Sequence, residues 1–139
     1  MNVYSEQISF ETSGNADVID ITRAVEGAVK DTDLQDGIAT VFVPGATGAV
    51  TTIEYEPGLV EDIKTALERL MPEKINYKHD LRWGDGNGHS HIRASFLGPS
   101  LTVPFLDGHL QLGTWQQIIF IDLDNRPRSR SVIVQIMGE

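Results

Sequence analysis

Three of the four histidines, His79, His89 and His91, fall in one short segment, interleaved with Asp85, Asn87, Arg93 and Ser95. Imidazole is a common ligand for borderline divalent metals, and carboxylate and guanidinium groups orient such ligands or hold anions. The register of His89 and His91 depends on the backbone. On a strand, residues two apart share a face, and both could ligate one ion. On a helix they diverge by about 200°, unless His89 precedes the first turn in non-helical geometry. His79 is then the natural third ligand. Three imidazoles with an open position would suit a divalent metal, zinc among the candidates. The competing reading is a set of surface histidines in a polar loop.

The neighbours are read in the same two ways. Asp85-Gly86-Asn87-Gly88 has the composition of a turn. Alternatively, Asp85 and Asn87 orient the histidines or touch a substrate. Arg93 and Ser95 could hold an anion beside the metal, or Arg93 could simply be solvated. The small-residue run Pro44-Gly45-Ala46-Thr47-Gly48 could approach a phosphate, but it lacks the lysine and spacing of a P-loop. Glu54 and Glu56 share a strand face, either exposed or at the mouth of a site. Trp115 reads as packing in a core strand, and His109 as a surface residue. No serine–histidine–aspartate arrangement or dinucleotide fingerprint is present.

These side chains need a scaffold, and 139 residues are enough for a single domain, 1–139, with its own core. No cysteine is present, which excludes disulfides and thiol catalysis. The N-terminal residues lack the pattern of a signal peptide, no apolar run is long enough to span a membrane, and a cytoplasmic location is expected. The net charge of −9 argues against nucleic acid or an anionic membrane as partner.

Alternating and apolar runs predict strands over Val3–Thr12, Ile38–Val43 and Val50–Tyr55. Asp20 reads as an N-cap for a helix ending near Lys30. Pro57 opens a second helix that Pro72 stops, with Val60, Ile63, Leu67 and Leu70 on one stripe. Residues 73–88 read as a long surface loop. A short helix from Gly88 to the Gly98-Pro99 stop is preferred over a strand there. Two hairpins follow, Leu101–Leu106 with His109–Leu112, then Trp115–Leu123 with Ser129–Met137.

The run His91-Ile92-Arg93-Ala94-Ser95-Phe96-Leu97-Gly98-Pro99-Ser100-Leu101-Thr102-Val103-Pro104, with Leu112-Gly113-Thr114-Trp115-Gln116, Val41-Phe42-Val43-Pro44 and Leu70-Met71-Pro72, resembles the YjbQ family. Members of that family are often named secondary thiamine-phosphate synthases. The resemblance covers nearly the whole chain. It implies an α+β fold, mainly antiparallel: a jelly-roll-like β-sandwich with two to three packed helices, assembled as a homotrimer. It also implies a histidine site at the subunit interface, with a divalent metal and a small phosphorylated molecule as substrate. His79 and His91 match two of the family's histidines. A third family histidine follows the proline of the Val-Pro motif, where this chain has Gly45. His89 is proposed to fill that vacancy. The resulting candidates are His79, His89 and His91 as metal ligands, Arg93, Asp85 and Gln116 as catalytic residues, and Asn87 and Ser95 as ligand-binding residues. The implied reaction resembles thiamine-phosphate synthesis. The alternative is a non-catalytic oligomeric ligand-binding or structural protein with an altered site.

Overall fold

The computed structural model describes residues 1–139. Along the chain run β1 (Asn2–Thr12), β2 (Asp17–Asp20), α1 (Thr22–Lys30), β3 (Gly37–Phe42), β4 (Gly48–Ile53), α2 (Pro57–Leu70), α3 (Lys78–Trp83), α4 (Gly88–Leu97), β5 (Ser100–Leu106), β6 (His109–Leu110), β7 (Gln117–Asp122) and β8 (Arg128–Gly138). Every strand pairing is antiparallel. One sheet has the order β1-β8-β3-β5-β6 and the other β2-β7-β4. Strands β1 to β4 alternate between the two sheets, and so do β5, β7 and β8, which is the jelly-roll pattern. The segment α2–α4 stands between β4 and β5. The fold is therefore α+β and antiparallel, as expected.

Strand β7 explains the layering. Its Ile118 and Phe120 join Val41, Val132, Val134 and Ile136 of the larger sheet in one core, with Val25 and Val29 of α1. Its Ile119 and Ile121 point the other way, into a second core with Ala49, Leu67 of α2 and Ala94 of α4. A strand buried on both faces carries a continuous apolar run rather than an alternating one. Helices α2 and α4 thus cover the outer face of the three-stranded sheet. Helix α2 begins at Pro57, after Glu56, whose carboxylate accepts the Gly58 and Leu59 N–H groups.

The structure differs from the sequence reading in several places. The second expected hairpin does not form: β7 pairs with β2 and β4 while β8 pairs with β1 and β3, so the two strands lie in different sheets. There are four helices rather than two or three, because α3 forms inside the segment expected to be loop. It buries no residue, so it shows no apolar stripe in sequence. Strand β2 was not expected. It follows a turn with positive φ at Gly14, Asn15 and Ala16, and Asp20 ends it while its carboxylate accepts the Thr22 N–H at 2.9 Å. Trp115 is outside any strand and 73% exposed, so it does not pack in the core; β7 starts at Gln117. No helix is long and apolar enough to cross a membrane.

Candidate functional site

Helix α3 carries His79 and helix α4 carries His91. Their rings lie 4.3 Å apart between centroids, tilted by 47°. The Nε2 atom of His79 is buried and has no hydrogen-bond partner. His91 is half-buried and lines a cavity of ≈ 210 Å³ with Gly45, Ala46, Gly48, Ala94, Ser95 and Pro99. Burial lowers the pKa of His91, the neighbouring His79 lowers it further, and Asp124, Asp85 and Asp80 oppose the shift. The balance favours the neutral form of His91.

Helical geometry separates His89 from this pair. Residues 88–97 form the helix, so His89 and His91 project in widely different directions. His89 is 2% exposed and sits near Tyr77, with ring centroids 6.5 Å apart. Its Nδ1 is buried without a partner, and its Nε2 lies 3.5 Å from Ser90 Oγ. Burial lowers its pKa, and the Arg93 guanidinium adds to the effect against Glu73, Asp80 and Glu68. No three histidine, aspartate or glutamate side chains are grouped to hold a metal ion. The structure thus brings His79 and His91 together, while the buried His89 lies outside this pair and outside the cavity that Gly45 lines.

The other sequence candidates fall into distinct places. Arg93 is buried: its Nε donates to the Met71 carbonyl at 3.0 Å and its Nη2 to Glu68 at 2.9 Å. It ties α4 to the end of α2, and those bonds take up the guanidinium edge expected to face an anion. Ser95 lines the His91 cavity, and its hydroxyl donates to the His91 carbonyl at 2.8 Å. Asp85 and Asn87 share a wholly polar pocket of ≈ 370 Å³ with Asp124, Asn125 and Arg126. The Asn87 amide lies 3.5 Å from Asp124, and its Oδ1 is buried and unpartnered. The Asp85 carbonyl accepts from Asn125 at 3.1 Å. Gln116 lines a different groove, of ≈ 290 Å³, and bonds Gly113 and Thr52 at 3.0 and 3.1 Å.

One constellation escaped the sequence reading. Asp122 and Asp124 are 0% and 2% exposed at the end of β7. Arg130 from β8 grips Asp122 through Nε and Nη2, both at 2.8 Å, and donates from Nη2 to Thr47 Oγ1 at 2.8 Å. Arg128 pairs with Asp124 at 2.7 Å, and Thr47 donates to it at 3.1 Å. Burial alone would raise the pKa of Asp122, but hydrogen bonds from Arg130, Thr12 and the Asp124 N–H outweigh it and hold it below the usual range. Asp124 is likewise held low, against burial, by Asn125, Thr47, Asn87 and Arg128. The signal was the alternation Asp122-Leu123-Asp124 against Arg128-Ser129-Arg130, which was read only as a hairpin turn. This network anchors the small-residue loop through Thr47. A Cβ built on Gly45 would stand 3.6 Å from Arg130 Nη1, so the guanidinium reaches the loop that lines the His91 cavity.

The description "UPF0047 protein YjbQ-like" belongs to the family profile that matches residues 6–139. A UPF0047 protein of Methanothermobacter thermautotrophicus is 39% identical over 139 residues, which is 100% of this chain and 95% of the relative. One from Archaeoglobus fulgidus is 40% identical over 94% of this chain and 99% of its own. Among solved structures, a YbjQ-like protein of unknown function from Sulfolobus solfataricus P2 superposes with a TM-score of 0.94 at 36% identity, covering 99% of each chain. By profile, sequence and fold together, the chain belongs to the YjbQ-like UPF0047 family.

Proposed function

We propose that the chain is a cytoplasmic enzyme that binds a divalent metal through His79 and His91 and acts on a small phosphorylated molecule. The observation that carries this reading is the histidine pair itself. Two imidazoles lie 4.3 Å apart, and one of them has a buried Nε2 with no partner inside the protein. An orphaned buried nitrogen is costly unless something outside the chain satisfies it. A metal ion suits the pair, because the lowered pKa of His91 favours its neutral form and an imidazole nitrogen of His79 is unused. Zinc is the natural first test, given nitrogen ligands.

Two ligands fall short of the three usual in catalytic zinc sites. The homotrimer that the family resemblance implies would bring a second copy to the site. Exposed Phe96 (79%) and Ile92 (41%) on α4 support such an interface, since they put apolar surface on the helix that carries His91. A bound divalent ion would supply Lewis acidity at a phosphoryl oxygen. The chain's own part is to position the phosphate. The loop of Gly45, Ala46 and Gly48 permits close backbone approach, and Arg130 rather than Arg93 is the arginine that reaches it. Asp122 already neutralises Arg130, so its role is a directed hydrogen bond rather than a bulk attraction. A condensation like that of thiamine-phosphate synthase is the specific reaction this reading entertains.

The second reading, a non-catalytic ligand-binding or structural oligomer, is favoured by one observation: Gly45 leaves the cavity without the family's third histidine. Metal content separates the two. Protein purified without an affinity tag should carry zinc or another divalent ion in stoichiometric amount, and His91→Ala should lose it. Metal-free protein that also refuses added zinc would favour the non-catalytic reading.

A further inference from the structure

We propose that Asp80 is the positioning residue of the histidine pair: by accepting the Gly88 N–H it locks α3 against the first turn of α4 and sets His79 beside His91. This rests on the reading of His79 and His91 as a ligand pair. The Asp80 Oδ1 receives the Gly88 N–H at 2.9 Å, across eight positions of sequence and between two helices. The first N–H groups of a helix have no partner of their own and are usually satisfied by the side chain at the N-cap. Here Asn87 holds the N-cap position but makes no side-chain cap bond. The cap for α4 comes from α3 instead.

Helix α3 needs such a tether. It has six residues, no side-chain cap of its own and no buried residue. A helix that short does not hold itself together in water. Its packing against α4 relies on the absence of a side chain at Gly88, where a Cβ would stand 2.5 Å from Tyr77 Cβ and 3.2 Å from Asp80 Oδ1. Tyr77 is fixed in turn by its hydroxyl, which donates to the Pro72 carbonyl at 2.6 Å. His79 lies between Tyr77 and Asp80 in sequence, so these two contacts hold the backbone that carries its ring. The carboxylate also sits at the positive end of the α4 dipole, which favours it there.

The test uses the full chain, free of metal, and then Zn²⁺ alone as the probe. Ring-proton NOEs between His79 and His91 report the pair directly, because rings with centroids 4.3 Å apart lie within NOE range. Asp80→Ala should erase these NOEs and weaken Zn²⁺ binding about 10–100-fold, the loss typical when an orienting group is removed. Asp80→Asn keeps an oxygen for the Gly88 N–H and should retain both to within a few-fold. Gly88→Ala should mimic Asp80→Ala by displacing Tyr77, and core methyl resonances confirm that each variant is folded. Unchanged NOEs and affinity in Asp80→Ala would overturn the proposal. So would loss in Asp80→Asn equal to that in Asp80→Ala, which would make the charge, not the tether, the active property. If NOEs follow Asp80 while wild-type protein binds no Zn²⁺, the positioning role stands and the metal reading fails.

Discussion

At the residue scale, much of the site was legible and its assignments were not. His79 and His91 were found from type, spacing and family pattern, and the structure brings them together. His89 and Arg93 looked equally chemical, but helical phase turns His89 inward and Arg93 onto Glu68 and Met71. Spacing alone cannot make that distinction until the backbone is known. We expect His89→Gln to matter for acid stability rather than as a direct metal ligand. His89 and His91 have lowered pKa values in the fold, so below the ordinary value near ~6.5 the unfolded chain takes up protons that the folded one resists. Stability should therefore be fully present above about pH 6.5 and fall as pH drops through that range. Urea titrations at pH 7.5 and 5.5 should show a smaller difference for His89→Gln than for wild type; an equal difference would deny His89 this role. Gly45 offers the converse experiment. A Cβ there meets only Arg130 Nη1, at an ordinary 3.6 Å, and the residue lines a cavity, so Gly45→His should fold. It should raise Zn²⁺ affinity by about 10-fold or more if the cavity accepts a third imidazole, with calorimetry as the measure.

At the element scale, the long strands and the two amphipathic helices declared themselves through periodicity. Strand β2 and helix α3 did not, because one is four residues long and the other buries nothing. Their positions come from partners outside the element itself: β2 from its register with β7, α3 from Asp80 on Gly88. The β7–β8 connection was legible as a turn but not as the anchor of the 44–48 loop. Asp122→Ala should leave Arg130, with its side chain 10% exposed, without its main counter-charge, and cost about 3–5 kcal/mol. Chemical denaturation measures this. Replacing Asp122 and Arg130 together with apolar residues of matching volume should cost clearly less, since no buried charge is then left alone. A double variant no more stable than Asp122→Ala would mean that the loop, not the charge, dominates.

At the scale of the whole molecule, the residues alone read as a strand-rich chain with two helices, and the sandwich came from the family resemblance, because the pairing of β7 and β8 with strands distant in sequence leaves no local pattern. Exposed Trp115, Phe96 and Trp83, at 73%, 79% and 61%, leave large apolar side chains in water. We expect light scattering at micromolar concentration to give three times the mass of one chain, and a monomer would contradict the homotrimer. With a net charge of −9, no salt-sensitive retention of DNA or RNA is expected in a filter-binding assay.

The most direct measurement is calorimetric titration of metal-stripped, untagged protein with Zn²⁺, beside His79→Ala, His91→Ala and His109→Ala. Wild type and His109→Ala should bind with equal affinity, and each of the other two variants should lose binding. Binding should also weaken as pH falls below the ordinary imidazole value near ~6.5, because burial lowers the pKa of His91 and a ligating imidazole must be neutral. Absence of binding in wild type, or binding unchanged by His91→Ala, would contradict the metal site.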